Sequence, residues 1–213
     1  MKTISDLCEI VEDAISKSAN LEGAFDSEIT RDQSGPTVWR GVESMDHPEY
    51  LHMLNLLTYD NSVVCHVGFW KGLSLFSHLF ERNPKKVYAV DYFFNNLSLK
   101  EEFHNNASRL EFEGRFDLYE GDFRQLNVSL FPEPIDLHIY DADHSDEGQY
   151  WGVKHFDRAF ANQFILVVDN WNLNEVGKFT EKAIEDLEYI IHGFYKVERH
   201  QYQGVFVLEK TNV

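Results

Sequence analysis

From residue 62 onward, short apolar runs alternate along the chain with segments whose apolar residues recur at helical spacing. Five of the runs are short enough to be buried strands and are separated by helical patterns or turns: 62–68, 86–91, 116–120, 135–140 and 164–168. Such alternation predicts a mostly parallel sheet with helices on both of its faces. Two further runs, 193–200 and 204–209, are separated by three residues, which predicts a C-terminal antiparallel hairpin.

The first sixty residues follow a different pattern. Residues 4–15 place apolar side chains at helical spacing, and Pro48 favours the start of a second helix that continues to Leu57. Between the two helices, residues 22–41 contain glycine and proline and are interpreted as a loop. This part of the chain is therefore predicted to form a helical cap beside the sheet.

The chain length of 213 residues suits one domain, since domains usually span about 50–250 residues. We therefore predict a single α/β domain over residues 1–213, with a Rossmann-like, doubly wound and mostly parallel seven-stranded sheet. Residues 1–60 would form the helical cap and lid, and residues 61–213 would form the core that binds the ligand.

The charge balance limits the kinds of partner. The chain has 36 Asp and Glu against 19 Lys and Arg, and the formal net charge of −17 would repel a nucleic-acid backbone or an anionic membrane. We therefore expect a small-molecule substrate, no nucleic acid and no membrane, and a homodimer is compatible with the sequence. Two cysteines, Cys8 and Cys65, and the lack of a signal-peptide pattern predict a cytoplasmic location.

The residues that follow each predicted strand are the candidate site residues, because ligands of such sheets bind beyond the carboxyl ends of the strands. The first strand leads into a turn with Gly68 and Gly72, which lets a ligand approach the backbone. The number of residues from Gly68 to Asp91 is close to the spacing of about 20 at which an acidic side chain can bind ribose hydroxyls. Asp122 and Phe123 could hold an adenine. Alternatively, the glycines form only a tight turn, and the two Asp residues only cap helices.

Polar side chains also follow the fourth and fifth predicted strands. Asp141 and His144 come after the fourth strand, and Asp169 and Asn170 come after the fifth. Carboxylate and amide oxygens suit a hard divalent cation such as Mg²⁺, and His144 could act as a general base beside it. The alternative is that Asp143 and Asn170 cap helices and that His144 is a surface residue.

The order of these motifs resembles the class I S-adenosylmethionine-dependent methyltransferases, and it is nearest to the catechol-type O-methyltransferases of small molecules. The resemblance covers roughly residues 60–210 and rests on these segments: HVGFWKGLS, AVDYF, EGDF, IDLHIYDADHS, FILVVDNWN and GFYKVERH. It implies an enzyme that methylates a hydroxyl group of a small molecule with S-adenosylmethionine as cofactor. In the catechol-type branch it also implies Mg²⁺.

The resemblance assigns roles to individual residues. The cofactor-binding residues would be the following: His66, Gly68, Trp70, Gly72, Asp91, Asp122, Phe123 and Asp141. Asp141, Asp169 and Asn170 match the metal-binding positions, and His144 stands where the family usually has a catalytic Lys. The cap, with Trp39, Arg40 and Glu43, would close over the site.

Two positions differ from the usual pattern of the family. His66 stands where an acidic residue usually contacts the ammonium group of the cofactor, and the bulky Trp70 stands where glycine is frequent. A methyltransferase-like domain that binds a ligand or partner without methyl transfer is therefore a second hypothesis. A third is a different enzyme on the same sheet, such as a nucleotide-sugar enzyme or a metal-dependent hydrolase.

Overall fold

The computed structural model describes the following residues: 2–21, 29–31, 36–172, 176–198 and 202–211. The described N-terminal part contains two helices and three short strands: α1 (Ile4–Ser18), β1 (Ile29–Arg31), β2 (Thr37–Trp39), β3 (Val42–Ser44) and α2 (Pro48–Leu57). Helix α1 begins with a capping box. The Thr3 hydroxyl accepts a hydrogen bond from the Asp6 N–H (3.2 Å), and the Asp6 carboxylate accepts one from the Thr3 N–H (2.8 Å). The second helix begins at Pro48 and ends at Leu57, as the sequence predicts.

The described core contains seven strands: β4 (Val63–Val67), β5 (Lys86–Asp91), β6 (Asp117–Glu120), β7 (Ile135–Tyr140), β8 (Phe160–Val168), β9 (Ile190–Glu198) and β10 (Tyr202–Glu209). Its α-helices are α3 (Leu73–Ser77), α4 (Leu97–Arg109), α5 (Asp146–Lys154) and α6 (Val176–Asp186). Short 3₁₀ turns complete some of the connections.

All seven core strands form one sheet in the order β6–β5–β4–β7–β8–β10–β9. The neighbouring strands from β6 to β8 are parallel, whereas β10 is antiparallel to both β8 and β9. The predicted Rossmann-like fold with a C-terminal antiparallel hairpin is therefore confirmed. The chain first builds the sheet outward from β4 and then returns with β7 on the other side of β4. A ligand of this fold is expected at that reversal, beyond the carboxyl ends of β4 and β7.

Two apolar clusters cover the two faces of the sheet. On one face, β4 and β5 residues such as Val64 and Val87 pack with residues of α1–α4, including Leu51 and Phe103. On the other face the strands pack with α5 and α6 through residues such as Ile184. All five residues of β4 are buried, as expected for a central strand that is covered on both sides. None of the described helices is long and apolar enough to cross a membrane.

The predicted loop at residues 22–41 is wrong in part, because β1 and β2 lie within it. These strands pair with each other, and β2 pairs with β3, in a small antiparallel sheet. Arg40 and Gly41 join β2 to β3 with φ angles of 47° and 76°, as in a two-residue hairpin turn. Strands of three residues are too short to show an alternating pattern, so the glycine and proline signals dominated the interpretation. Residues 22–28 and 32–35 lie outside the described part of the chain.

Candidate active site

A cavity of about 1060 Å³ opens at the carboxyl ends of β4–β7. Its walls come from the turn after β4, from the ends of the neighbouring strands and, on the cap side, from Ser44, Met45 and Asp46. This volume is at the upper end of the range of about 300–1,000 Å³ that is usual for small-molecule sites. The structure therefore places a site of adequate size where the fold predicts one.

Most of the predicted site residues meet at this cavity. The following predicted residues line it: Gly68, Trp70, Asp91, Asp122, Phe123, Asp141 and His144. His66, Gly72, Asp169 and Asn170 do not line it, although Asp169 and Asn170 lie next to residues that do. The cofactor and catalytic roles of all these residues stay predictions.

Gly68 occupies a position that admits no side chain. Its φ angle is +82°, and a Cβ atom there would lie 1.9 Å from the backbone oxygen of Asp141. The Asp141 N–H donates to the Val67 carbonyl (2.9 Å), which ties the end of β7 to β4, and the Gly68 N–H donates to the Val90 carbonyl (2.9 Å), which ties the end of β4 to β5. The ends of β4 and β7 therefore approach each other more closely than any other residue would allow.

Asp91 holds this turn through its carboxylate. The carboxylate accepts hydrogen bonds from the N–H groups of Phe69 (2.8 Å), Trp70 (3.2 Å) and Phe93 (2.6 Å). Burial raises the pKa of Asp91 above its usual value, although the backbone hydrogen bonds act in the opposite direction. Trp70 and Phe93 have positive φ angles, a conformation that costs about 1–2 kcal/mol per residue. The structure therefore shows a positioning role for Asp91, and its contact with ribose stays a prediction.

Gly72 lies just before α3, with a φ angle of +101°. A Cβ atom there would lie 2.5 Å from the Phe76 ring and 2.9 Å from the Phe103 ring. The glycine is thus required by the aromatic core under the turn. Next to it, Lys71 pairs with Glu43 of the cap (3.0 Å) and its ammonium lies over the Trp70 ring, which connects the cap to the turn.

Asp122 and Phe123 follow β6, the strand next to β5, and they also line the cavity. The Asp122 carboxylate accepts from the Arg124 Nε (2.9 Å), and the Arg124 Nη1 donates to Asp143 (3.0 Å). The guanidinium lowers the pKa of Asp122. Phe123 is mostly buried and packs edge-on against Tyr140, with 5.4 Å between ring centroids. Arg124 lies at the rim, and the sequence analysis did not identify it.

His66 lies near the end of β4, fully buried, and it faces the core instead of the cavity. Its Nδ1 lies 3.1 Å from His78 Nε2, and His78 Nδ1 lies 2.7 Å from the Thr58 hydroxyl, which donates to the Leu54 carbonyl (2.9 Å). Burial lowers the pKa of His66 well below its usual value and lowers the pKa of His78 to about 3. Both rings are therefore neutral parts of a hydrogen-bonded chain in the core.

Acidic side chains converge at the end of β7 and β8. Asp141 and Asp169 are hydrogen-bonded to each other, and Asp169 accepts from the Gln203 amide (2.9 Å). Burial raises the pKa of Asp169 to about 7, and the nearby Asp46 adds to the effect. Burial and the Asp169 carboxyl raise the pKa of Asp141 well above its usual value. The pair therefore retains a proton at pH values where isolated carboxyls are charged.

His144 lies half-buried beside this pair. Its Nε2 is 3.6 Å from the Asp141 carboxylate and 3.3 Å from the Asn170 amide, and its Nδ1 is 3.3 Å from the Gln149 amide. Burial lowers the pKa of His144 below its usual value, so the imidazole is neutral near pH 7. Both amides present their nitrogens to the ring, and a neutral imidazole accepts a hydrogen bond at only one of its two nitrogens, so only one of the two amide contacts is a hydrogen bond.

The predicted Mg²⁺ site is not supported by the arrangement of these groups. Among the described residues, no three Asp, Glu, His or Cys side chains are placed to hold a metal ion. Asp169 is already hydrogen-bonded to Gln203 and Asp141, and the Asn170 amide contacts His144. The side chains expected to bind the metal therefore bond to other protein groups.

The cap contributes to the site through residues that the sequence did not single out. Ser44, Met45 and Asp46 line the cavity, whereas Trp39 is fully buried and packs edge-on against Phe80 at 4.8 Å between ring centroids. The cap therefore borders the cavity, but Trp39, Arg40 and Glu43 do not line it, and the closing of the cap over the site stays a prediction. Its acidic residue, Asp46, could have been noticed only as a polar residue just before a proline-initiated helix.

The chain belongs to the methyltransferase domain family, whose model matches residues 65–171, just over half of the chain. The fold is similar to that of an O-methyltransferase from Bacillus cereus in complex with S-adenosylhomocysteine, with 12% identity, a TM-score of 0.61, and coverage of 95% of this chain and 91% of that one. It is also similar to a candidate RNA methyltransferase from Pyrococcus horikoshii (16% identity, TM-score 0.57, 92% and 98% coverage). M. jannaschii TYW2 in complex with S-adenosylmethionine is a third neighbour (13% identity, TM-score 0.58, 85% of both chains).

At these identities the likeness to solved structures shows the fold alone, which is that of the class I S-adenosylmethionine-dependent methyltransferases. No sequence among the curated proteins matches this chain.

Proposed function

We propose that this protein transfers a methyl group from S-adenosylmethionine to a hydroxyl group of a small molecule, with His144 as the general base. The observation that carries the proposal is the placement of His144, a half-buried, neutral imidazole that lines the cavity beside an acidic pair. A neutral imidazole is the form that can accept a proton near pH 7.

The residues of the glycine turn fit the cofactor. Gly68 lines the cavity, and so does Gly121 after β6, where no atom of the described residues lies within 4 Å of the position of a Cβ atom and a ligand can approach the backbone directly. We assign Asp91, Asp122 and Phe123 to the nucleoside part of the cofactor, since they line the same wall of the cavity. When bound, S-adenosylmethionine supplies the electrophilic methyl group.

The proposed chemistry of the chain is proton transfer and positioning. One ring nitrogen of His144 accepts the hydroxyl proton of the acceptor, and an amide contact of 3.3 Å, near the long end of hydrogen-bond distances, is given up for it. The Asp141 carboxyl, 3.6 Å from Nε2, then pairs with the imidazolium. No step of the proposal uses a divalent metal, since no group of three or more His, Cys, Asp or Glu side chains among the described residues is placed to hold one.

A small acceptor agrees better with the site than a nucleic acid does. The cavity is closed on one side by cap residues, including Asp46. Asp46 and Asp141 give this part of the cavity an acidic lining. The net charge of −17 would also repel a phosphate backbone.

The proposal is tested by replacing His144. Release of S-adenosylhomocysteine is measured with a panel of phenols, catechols and aliphatic alcohols, and binding of S-adenosylhomocysteine is measured by calorimetry. We expect His144→Ala to lower kcat by about 10²–10⁴-fold with cofactor affinity nearly unchanged. His104→Ala, at an exposed histidine of α4, is the matched control and should keep full activity.

Two outcomes would contradict the proposal. If His144→Ala keeps the wild-type kcat, His144 is not the base. If the cofactor binds but the wild-type protein turns over none of the hydroxyl compounds, the second hypothesis of binding without methyl transfer is favoured instead.

A further inference from the structure

The floor of the cavity combines acidic side chains with a buried phenol that the proposed proton transfer does not use. Asp46 lies just before α2 and Tyr50 lies in its first turn, while Asp141 and Asp169 follow β7 and β8. Asp46 and Asp141 line the cavity, and Asp169 and Tyr50 lie behind them, 1% and 3% exposed. The cap and the core therefore meet at this floor.

The Tyr50 hydroxyl is fully buried and has no hydrogen-bond partner among the residues that the structure describes. The carboxyls of Asp169, Asp141 and Asp46 are close enough to raise the pKa of Tyr50 further, after burial, which is the largest cause. A buried hydroxyl without a partner is costly and uncommon in folded proteins. The three carboxyls act on the phenol without bonding to it, so the missing hydrogen-bond partner points to a group that is supplied by a ligand.

Two acidic side chains of the floor, Asp141 and Asp169, are not paired with a Lys or Arg side chain of the described residues. Within the described chain, the side-chain contacts of Asp141 and Asp169 are with each other and with His144, Asn170 and Gln203, and none is with Lys or Arg. Arg124 also lines the cavity, but it pairs with Asp122 and Asp143 at the opposite rim. These side chains supply no positive charge to the pair, so a ligand cation would take the place of the proton that the pair otherwise holds.

We propose that this floor binds a protonated amine of the methyl acceptor, so that the acceptor is a small hydroxylated amine. An ammonium group has three N–H donors, which can bond to the carboxylates and to the Tyr50 oxygen. The phenol of Tyr50 can at the same time donate its proton to a carboxylate. A metal ion would need a ligand arrangement that the described residues do not provide. The inference rests on the proposed function, whose acceptor it specifies.

The walls above the floor indicate a suitable probe. Several aromatic and apolar side chains also line the cavity, namely Met45, Phe69, Trp70, Tyr92 and Phe94. They can enclose an aromatic ring, whereas the floor would take the amine. We therefore choose 4-(2-aminoethyl)phenol and its neutral analogue 4-propylphenol as probes, which differ mainly in the charged group.

The experiment measures binding of both probes to the full chain by calorimetry, with and without saturating S-adenosylhomocysteine. We expect the amine to bind at least about tenfold more tightly than the neutral phenol, the equivalent of about 1.4 kcal/mol. Tyr50→Phe and Asp46→Asn should each reduce this preference several-fold. Both variants should change the affinity for S-adenosylhomocysteine by less than about twofold. Tyr50→Phe removes a hydroxyl without a protein partner, so the variant should fold at least as stably as the wild type.

The outcomes separate this inference from the proposed function. Equal affinities for the two probes, or no binding of either, overturn the inference even if phenols are methylated. Weakened S-adenosylhomocysteine binding in Tyr50→Phe also overturns it, because the floor would then serve the cofactor. Binding of Mg²⁺ alone that displaces the amine would assign the floor to a metal. Failure of S-adenosylhomocysteine to bind would instead contradict the proposed function. In that case, tighter binding of the amine than of the neutral phenol, measured in the absence of S-adenosylhomocysteine, would still support a cation site.

Discussion

The close approach at Gly68 allows a matched pair of substitutions. Gly68 and Gly114 have similar φ angles, +82° and +76°, but their surroundings differ. A Cβ atom at Gly68 would lie 1.9 Å from the Asp141 backbone oxygen, whereas none of the structure lies within 4 Å of a Cβ atom at Gly114. Gly68→Ala and Gly114→Ala therefore share the cost of a positive φ angle and differ in the steric overlap.

The expected magnitudes follow from these two contributions. The left-handed conformation costs about 1–2 kcal/mol for alanine at either position. At Gly68 the Asp141 oxygen must also move until the contact reaches at least 3.0 Å, which strains the hydrogen bond from the Asp141 N–H to the Val67 carbonyl. Overpacking of this kind costs about 1–3 kcal/mol. We expect Gly68→Ala to lower the free energy of unfolding by about 2–5 kcal/mol and Gly114→Ala by about 1–2 kcal/mol.

Urea denaturation followed by circular dichroism measures both values. With an m-value of about 1–3 kcal/mol/M, the two midpoints should differ by about 1 M. Calorimetry should show that Gly68→Ala weakens binding of S-adenosylhomocysteine at least tenfold and that Gly114→Ala leaves it unchanged. Equal losses of stability in the two variants would refute the reasoning, because the overlap at Gly68 would then have no cost.

Three further predictions concern the core and the site. Asn55 donates to the carbonyls of Ser77 and Phe80 (both 2.8 Å), so Asn55→Ala should lower the free energy of unfolding in urea by about 2–4 kcal/mol, and a loss below 1 kcal/mol would contradict this. Burial lowers the pKa of His138 to about 4, so the unfolded chain binds more protons and stability falls as the pH drops from about 6.5 to about 4. In His138→Leu the fall between pH 6 and pH 4.5 should be smaller by about 1–2 kcal/mol, and an unchanged pH dependence in urea denaturation would show that His138 titrates normally. Treatment with EDTA should leave S-adenosylhomocysteine release unchanged, whereas a loss of activity that Mg²⁺ restores would reinstate the metal site.

The sequence predicts the core better than the cap, for a physical reason. The strand at Lys86–Asp91 and the one at Ile135–Tyr140 have the predicted bounds, since buried parallel strands are apolar throughout and end at polar residues. The strand predicted over 164–168 begins earlier, at Phe160, six residues after the end of α5 at Lys154. An apolar run next to a helix does not itself show where the helix ends.

The site was predictable where it depends on the chain order alone. Asp91, Asp122 and Asp141 follow strands of a parallel sheet, so the topology brings them to one edge. Their hydrogen-bond partners depend on three-dimensional packing, and the sequence does not show that the Asp91 carboxylate is engaged by the backbone of the turn. Asp46 and Tyr50 reach the floor from the cap, and neither belongs to a motif of the core.

The acidic floor also bears on the balance between stability and function. Carboxyls buried together repel one another or must hold protons, so the empty protein is destabilised at the place where the cap meets the core. Neutral residues at those positions would be expected to make the empty protein more resistant to heat and less able to bind a cation. Occupation of the floor by a cation would then increase the stability of the cap as well as that of the site, because Asp46 and Tyr50 belong to the cap.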